Sequence, residues 1–431
     1  MPRWASLWIY RLLLPLFLMV ALPGWWMRML RRGGMGTGLA ERIGIYRGDL
    51  ECEPCGAVHL HAVSVGEVMI ALRLIRSWHR REPGKTFVLA TGTATGHAVA
   101  TAARIDGLRV TYAPLDFRIS VRRYLDRFEP LCIVLVEGEA WPQLLIEARR
   151  RGIPVVLVNA RMSPRSAKRY RRFAAWLRPY FSLLDWIAIQ ESGDESLWKP
   201  LGIDSANIHV TGSLKYDPED AVMPQPREAF DRILSRFGNP KRIVLAASTH
   251  AGEDAWIARA AIHAADDVLM VMAPRHAERR DEVVAELVAA GFRPVLRSAC
   301  DDPFSVDVGV PVLVIDSTGE LRDWTAHADV VVIGKSFLAK GGQSPVEAVL
   351  AGKPVVFGPH MENFEPLASS MVAHGGAIRA DDAASLVGAI RAGLDDGNVR
   401  RQTEAASACL ARHRGAIDRV LDLLGARRVD G

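Results

Sequence analysis

At 431 residues the chain exceeds one ordinary domain, and 49% hydrophobic against 24% charged residues is a globular composition with ample core material, which excludes a disordered chain. The net charge of +5 is a modest basic excess that suits nucleic acid, an anionic membrane or a phosphorylated ligand. The five cysteines, Cys52, Cys55, Cys132, Cys300 and Cys409, are odd in number and scattered. They exclude a disulfide framework and fit a reducing compartment. Cys52 and Cys55 form a lone C-x-x-C with no second pair or histidine cluster, so a zinc site is not expected.

Residues 4–26 are almost wholly apolar, interrupted by Arg11, Pro15, Pro23 and Gly24. About 20 apolar residues suffice to span a bilayer, and tryptophans stand at both ends as interfacial anchors do. Arg28, Arg31 and Arg32 follow, which by the positive-inside rule keeps the rest of the chain at the cytoplasmic face of the inner membrane. Trp25-Trp26-Met27 is a poor cleavage site, against a signal peptide. Residues 1–32 are therefore expected to be an anchor. Arg11 and Pro15 leave open a helix lying in the interface instead of a span.

After a glycine-rich link at 33–38, short β-branched runs alternate with helix-length amphipathic stretches. The runs are 58–63, 86–90, 110–113, 131–136, 154–159 and 186–190, with helices expected at 67–80, 142–151 and 164–178. Such alternation predicts a parallel sheet with helices on both faces. The pattern pauses at 211–226, where Gly212, Asp217, Pro218, Pro224 and Pro226 cluster, and restarts at 242–246, 268–272, 311–315, 329–333 and 354–357. The expected division is an N-terminal Rossmann-like domain at 33–212 and a C-terminal one at 213–431.

Ligands in doubly wound sheets sit at C-terminal strand ends. Three expected helix starts carry Ser-x-x-Glu: Ser64-Val65-Gly66-Glu67, Ser317-Thr318-Gly319-Glu320 and Ser344-Pro345-Val346-Glu347. Each reads as a capping box, or as a cap that also offers amides to an anion. Glu41 lies just past the anchor, and Glu137 and Glu139 end the run at 131–136. The pair is either two solvated loop acids or a pair that pushes one pKa up for general-base work. Arg161, Arg165, Lys168, Arg169, Arg171, Arg172 and Arg178 form an acid-free basic run with Tyr170, Phe173 and Trp176 interleaved. It is either a solvated face or a partner for an anionic lipid surface; no nucleic-acid module accompanies it. Walker A, dinucleotide, H-E-x-x-H and G-x-S-x-G motifs are all lacking.

Taken in order, Glu41-Arg42-Ile43-Gly44, His61-Ala62-Val63-Ser64-Val65-Gly66-Glu67, Glu137-Gly138-Glu139-Ala140-Trp141-Pro142, Asn159-Ala160-Arg161-Met162-Ser163, Thr211-Gly212-Ser213-Leu214-Lys215-Tyr216-Asp217, Ala273-Pro274-Arg275-His276, Gly319-Glu320-Leu321, Gly341-Gly342-Gln343-Ser344-Pro345-Val346-Glu347 and Gly358-Pro359-His360 resemble one family. It is the transferases of 3-deoxy-D-manno-octulosonic acid (Kdo) in lipopolysaccharide assembly. The resemblance implies a GT-B fold, two Rossmann-like domains facing a cleft, and an inverting transfer from CMP-Kdo to a lipid A precursor without metal or cofactor. It implies Glu41 as base, with further carboxylates at Glu137 and Glu139. Donor contacts are implied at Arg275, Gly319, Glu320, Ser344 and Glu347, joined by Ser213 and Lys215, and acceptor contacts at Ser64, Gly66, Glu67 and Arg161. Lys335, just past the run at 329–333 and Gly334, is by position either a donor-phosphate contact at a C-terminal strand end or a solvated loop lysine. The chain departs from the familiar pattern at Gln343 and Ser344 (His-Asn), Ser213 (Asn) and Lys335 (Gly). A sugar-nucleotide epimerase of the same plan would not need the anchor, and a non-catalytic lipid-binding protein would have no use for Glu41. The anchor carries no candidate catalytic residue, so its removal is expected to leave transfer in detergent intact.

Overall fold

The computed structural model describes residues 6–16, 19–20, 38–46, 56–138, 140–162, 164–218, 222–301 and 309–426. Glu139, Cys52, Cys55 and most of the expected anchor, with Arg28, Arg31 and Arg32, lie outside them.

The chain forms two compact units, one of residues 1–217 with 415–431 and one of 218–414. The division falls at 217/218, not at the expected 212/213, and the C-terminal stretch returns to the first unit. The reason is a set of local bonds. Asn159 Oδ1 accepts from Leu214 N at 2.9 Å, and Arg73 donates to the carbonyls of Lys215 and Asp217. Asp217 in turn accepts from the backbone of Gly415 and Ile417, at the start of helix Ala416–Ala426.

The first unit holds strands β1 (Val58–Ala62), β2 (Phe87–Thr91), β3 (Leu108–Tyr112), β4 (Cys132–Val136), β5 (Val155–Ala160), β6 (Trp186–Ile189) and β7 (Ile208–Val210). The second holds β8 (Arg242–Thr249), β9 (Val268–Pro274), β10 (Phe292–Leu296), β11 (Val310–Val314), β12 (Val330–Ile333), β13 (Val355–Phe357) and β14 (Ile378–Arg379). All pairings are parallel, in the orders β3-β2-β1-β4-β5-β6-β7 and β10-β11-β9-β8-β12-β13-β14. Strand order reverses between β1 and β4 in one sheet and between β8 and β12 in the other. Those reversals mark where such sheets receive ligands.

Period-2 alternation feeds both faces of the first sheet. Ile133 and Leu135 of β4 enter one core cluster, while Val134 and Val136 enter the other. β7, β10 and β14 were not expected from the sequence. They are edge or near-edge strands: β10 carries Pro294 and β14 spans two residues, so neither has the long apolar run of a central strand. The expected helix at 164–178 is two, Pro164–Arg172 and Ala174–Phe181, divided at Phe173.

At the N-terminus, residues 6–16 form a helix docked on the first unit. Leu7 is buried in its core, Ser6 Oγ pairs with Tyr180 Oη, Tyr10 Oη donates to Asp116 and Arg11 donates to Gln143. Trp8, Leu12, Leu13 and Leu16 face outward, the first at 65% exposure. Among the described residues no helix is long and apolar enough to cross a membrane.

Candidate functional site

The first unit places Glu41 beside an edge strand. Gly38, at φ 74°, opens the short helix Leu39–Arg42; a Cβ there would collide with the Tyr112 ring, so the turn requires glycine. Glu41 Oε2 accepts from Thr111 Oγ1 and Tyr112 N, both at 2.9 Å. Tyr112 also stacks on His97 at 4.3 Å and lies under the Arg42 guanidinium, which donates to Gly92 O. Two donors thus fix the orientation of the carboxylate.

Glu137 stands elsewhere, directly after β4. Three strand spacings separate β3 from β4, roughly 14 Å across the sheet, so Glu41 and Glu137 do not act on one atom as a pair. Glu137 has φ 64°, a conformation costly for a non-glycine residue. It lines a pocket of about 450 Å³ with Glu67, Gly138, Trp141, Arg161, Ser166 and Tyr170. Burial raises its pKa, Arg161 and Lys215 oppose, and Glu67 adds to the rise. Burial likewise pushes Lys215 down to about 8, against the pull of Glu137. Both groups are driven toward their neutral forms.

Of the three Ser-x-x-Glu sites only the first uses its serine as the N-cap, and even there the glutamate returns to the residue before the cap and not to the cap's own amide. Ser64 Oγ accepts from Glu67 N at 3.3 Å, and the Glu67 carboxylate reaches back to Val63 N and Ser64 Oγ. Gly66 is exposed at this turn. At the second, Glu320 is itself the N-cap residue, and its carboxylate takes the Ser317 hydroxyl at 2.6 Å and the Arg297 guanidinium. At the third, Pro345 is the N-cap residue and Ser344 Oγ accepts from Val346 N. Both helices are short, seven and five residues, and neither uses its serine as the box requires.

Ser213 and Lys215, expected with the donor, belong to the first unit. Ser213 is 1% exposed and donates to Asn159 Oδ1, which ties it to the end of β5. Lys215 stands instead with Glu137 and Arg161. The second unit brings a different group to its strand ends. Arg275, exposed, follows β9. Gly319, at φ 86°, makes the turn before Glu320. Lys335, at φ 54°, follows Gly334 after β12. Glu347 is pushed up by burial, with Arg322 opposing and Asp323 adding. Sequence reasoning missed Thr111, Tyr112, Arg73 and Glu253, which hold the expected residues in place. Among the described residues no group of three His, Cys, Asp or Glu could hold a metal ion. His61, in its motif, is a core histidine lowered to about 4 by burial.

Two parallel-sheet units of this kind define a GT-B fold, the plan of many nucleotide-sugar glycosyltransferases. Acinetobacter baumannii MurG matches over 86% of this chain and 100% of its own (TM-score 0.54, 14% identity). A glycosyltransferase from Rickettsia africae matches over 87% and 100% (TM-score 0.54, 10% identity). Residues 37–218 match the family described as 3-Deoxy-D-manno-octulosonic-acid transferase (kdotransferase). The 3-deoxy-D-manno-octulosonic acid transferase of Bordetella pertussis is 36% identical over 413 residues, 93% of this chain and 94% of that protein. That of Haemophilus influenzae is 33% identical over 393 residues, 90% of each. The chain belongs to the Kdo transferase family. The epimerase and lipid-binding alternatives are not favoured.

Proposed function

We propose that this chain transfers Kdo from CMP-Kdo to a lipid A precursor, with inversion at the anomeric carbon, in lipopolysaccharide biosynthesis. The observation that carries the mechanism is the Glu41 carboxylate, held by Thr111 and Tyr112 at the rim of the first sheet. Glu41 takes the proton of an acceptor hydroxyl while that oxygen forms its bond to the anomeric carbon. The bond from that carbon to the CMP phosphate breaks, and CMP leaves with the electron pair. The transition state is oxocarbenium-like, as in other glycosyl chemistry. The pocket of Glu67, Glu137 and Arg161 suits the polar hydroxyls and anionic groups of a sugar. In the second unit Arg275 and Lys335 supply positive charge for the departing phosphate, and Glu347 accepts from the ribose hydroxyls.

The reading extends to the cytoplasmic surface of the inner membrane. The N-terminal helix turns hydrogen-bonded Ser6, buried, and Tyr10, half-buried, inward and Trp8, Leu12, Leu13 and Leu16 outward, the reverse of a helix built for water. Exposed Trp176, with Lys168, Arg169, Arg171 and Arg172, lies on two helices of the same unit, and exposed Phe173 at the break between them. Apolar and basic groups together suit an interfacial seat on anionic lipid.

The test incubates the protein with CTP, Kdo, a CMP-Kdo synthetase and tetra-acyl lipid A precursor, read by mass. Product carrying one or more Kdo units is expected, and a lipid of unchanged mass overturns the proposal.

A further inference from the structure

The switch point of the second sheet, between β8 and β12, carries a buried carboxylate, Glu253, to which the transfer reaction as described gives no part. Glu253, just after β8, is fully buried. Its carboxylate has no side-chain cation against it in the bonds it makes; instead it grips four backbone amides. Oε2 accepts from Lys335 N at 2.7 Å and His250 N at 3.0 Å, and Oε1 from Phe337 N at 3.1 Å and Leu338 N at 3.3 Å. One carboxylate therefore ties the end of β8 to the loop that follows β12.

The loop it ties is tight. A Cβ on Gly334 would lie 2.5 Å from Thr249 Cα, so the two strand ends press together. The next residue, Lys335, is then turned into the left-handed region at φ 54°. A glycine adopts that conformation at no steric cost, whereas a lysine persists there only where its surroundings over-determine it. The grip on its amide is what over-determines it. The backbone alone would be served by glycine, so the lysine is there for its side chain. Its ammonium has no carboxylate partner among the described residues, and it stands half-exposed where a parallel sheet receives phosphates.

We propose that Glu253 is a positioning residue which, through the amides of Lys335, Phe337 and Leu338, holds Lys335 in its left-handed turn with the ammonium presented to the phosphate of the nucleotide donor. Lys335 thereby sets the preference for the phosphorylated nucleotide over the nucleoside. The inference rests on the donor reading given above and adds to it a gripping residue and a discriminating charge.

Calorimetry of the full chain with CMP and with cytidine tests it, taking the ratio of the two affinities. Lys335→Gly removes the ammonium and relieves the turn. It should weaken CMP about 10–100-fold, the scale of a lost hydrogen bond to a charged group, leave cytidine unchanged and not lower the melting temperature. Glu253→Gln should lower the CMP-to-cytidine ratio in the parent but have no further effect on it in the Lys335→Gly background. Glu253→Asp, which withdraws the charge by one carbon, replaces it if the glutamine variant does not fold. An unchanged ratio in Lys335→Gly overturns the phosphate contact. An equal fall on changing Glu253 in both backgrounds overturns the positioning role. If the parent binds neither ligand, the donor reading fails and this proposal with it.

Discussion

Glu41 owes its geometry to a neighbour's hydroxyl and a backbone amide, not to another charge. Glu41→Gln keeps an oxygen acceptor for those donors but removes the basicity. Turnover should fall about 10²–10⁴-fold, the usual scale for a lost general base, with CMP binding intact. Near-normal turnover by mass-resolved assay removes Glu41 from the role. The carboxylates at 41 and 137 were legible in the sequence because each stands in a motif. Thr111 and Tyr112 were not, since a threonine and a tyrosine in a β-strand are ordinary strand formers and only the folded register brings them to Glu41. Ser213 likewise stands in a motif, but its burial and its bond to Asn159 after β7 were not legible there.

At the scale of elements, the N-terminal helix changes most between sequence and structure. Hydropathy sees an apolar run, but it cannot see that Tyr10 and Arg11 have partners waiting at Asp116 and Gln143. Removal of residues 1–32 is expected from the sequence to leave transfer in detergent intact, an expectation about activity alone. The structure adds one about stability: deleting residues 1–16 should uncover the core around Leu7 and lower the melting temperature even in detergent. The milder Tyr10→Phe should cost about 0.5–1.5 kcal/mol, the net worth of a typical hydrogen bond, in a denaturant titration. Unchanged stability in both variants would mean the docking is energetically idle. Asp116 gives this element a pH signature. Burial raises its carboxyl to about 7, although the Gln143 amide, the Tyr10 hydroxyl and the Leu144 amide all oppose the rise. A raised carboxyl binds its proton in the folded state after the unfolded chain has released it, so its contribution is complete below about 4 and is lost as pH rises through 7. Melting temperature should therefore carry a falling component between pH 4 and 7 that Asp116→Asn removes; an identical slope in the variant refutes the assignment. The alternation of central strands and helices was legible throughout. The edge strands and the failed capping boxes were not, because Pro294, Glu320 and Pro345 follow from how the chain turns at each end and not from local propensity.

For the whole molecule, the basic excess is concentrated enough to test. Reversing Arg169, Arg171 and Arg172 to glutamate should weaken binding to anionic vesicles by more than about 100-fold at low salt, since each such charge contributes roughly 1 kcal/mol near the surface. CMP affinity should be unchanged; equal vesicle binding would return the run to a merely solvated face. The two units also have an unequal relation to the chain itself. It leaves the first unit after Asp217 and re-enters it at Gly415, and the Asp217 carboxylate lies 3.1 Å from the Gly415 amide. The second unit is thus a single insert whose entry and exit meet at one residue, as happens where one domain is lodged in a loop of another. Residues 218–414 form a cassette. A chain that exchanged this stretch for another unit with similarly close ends would replace the whole second sheet in one recombination event and leave the first unit intact.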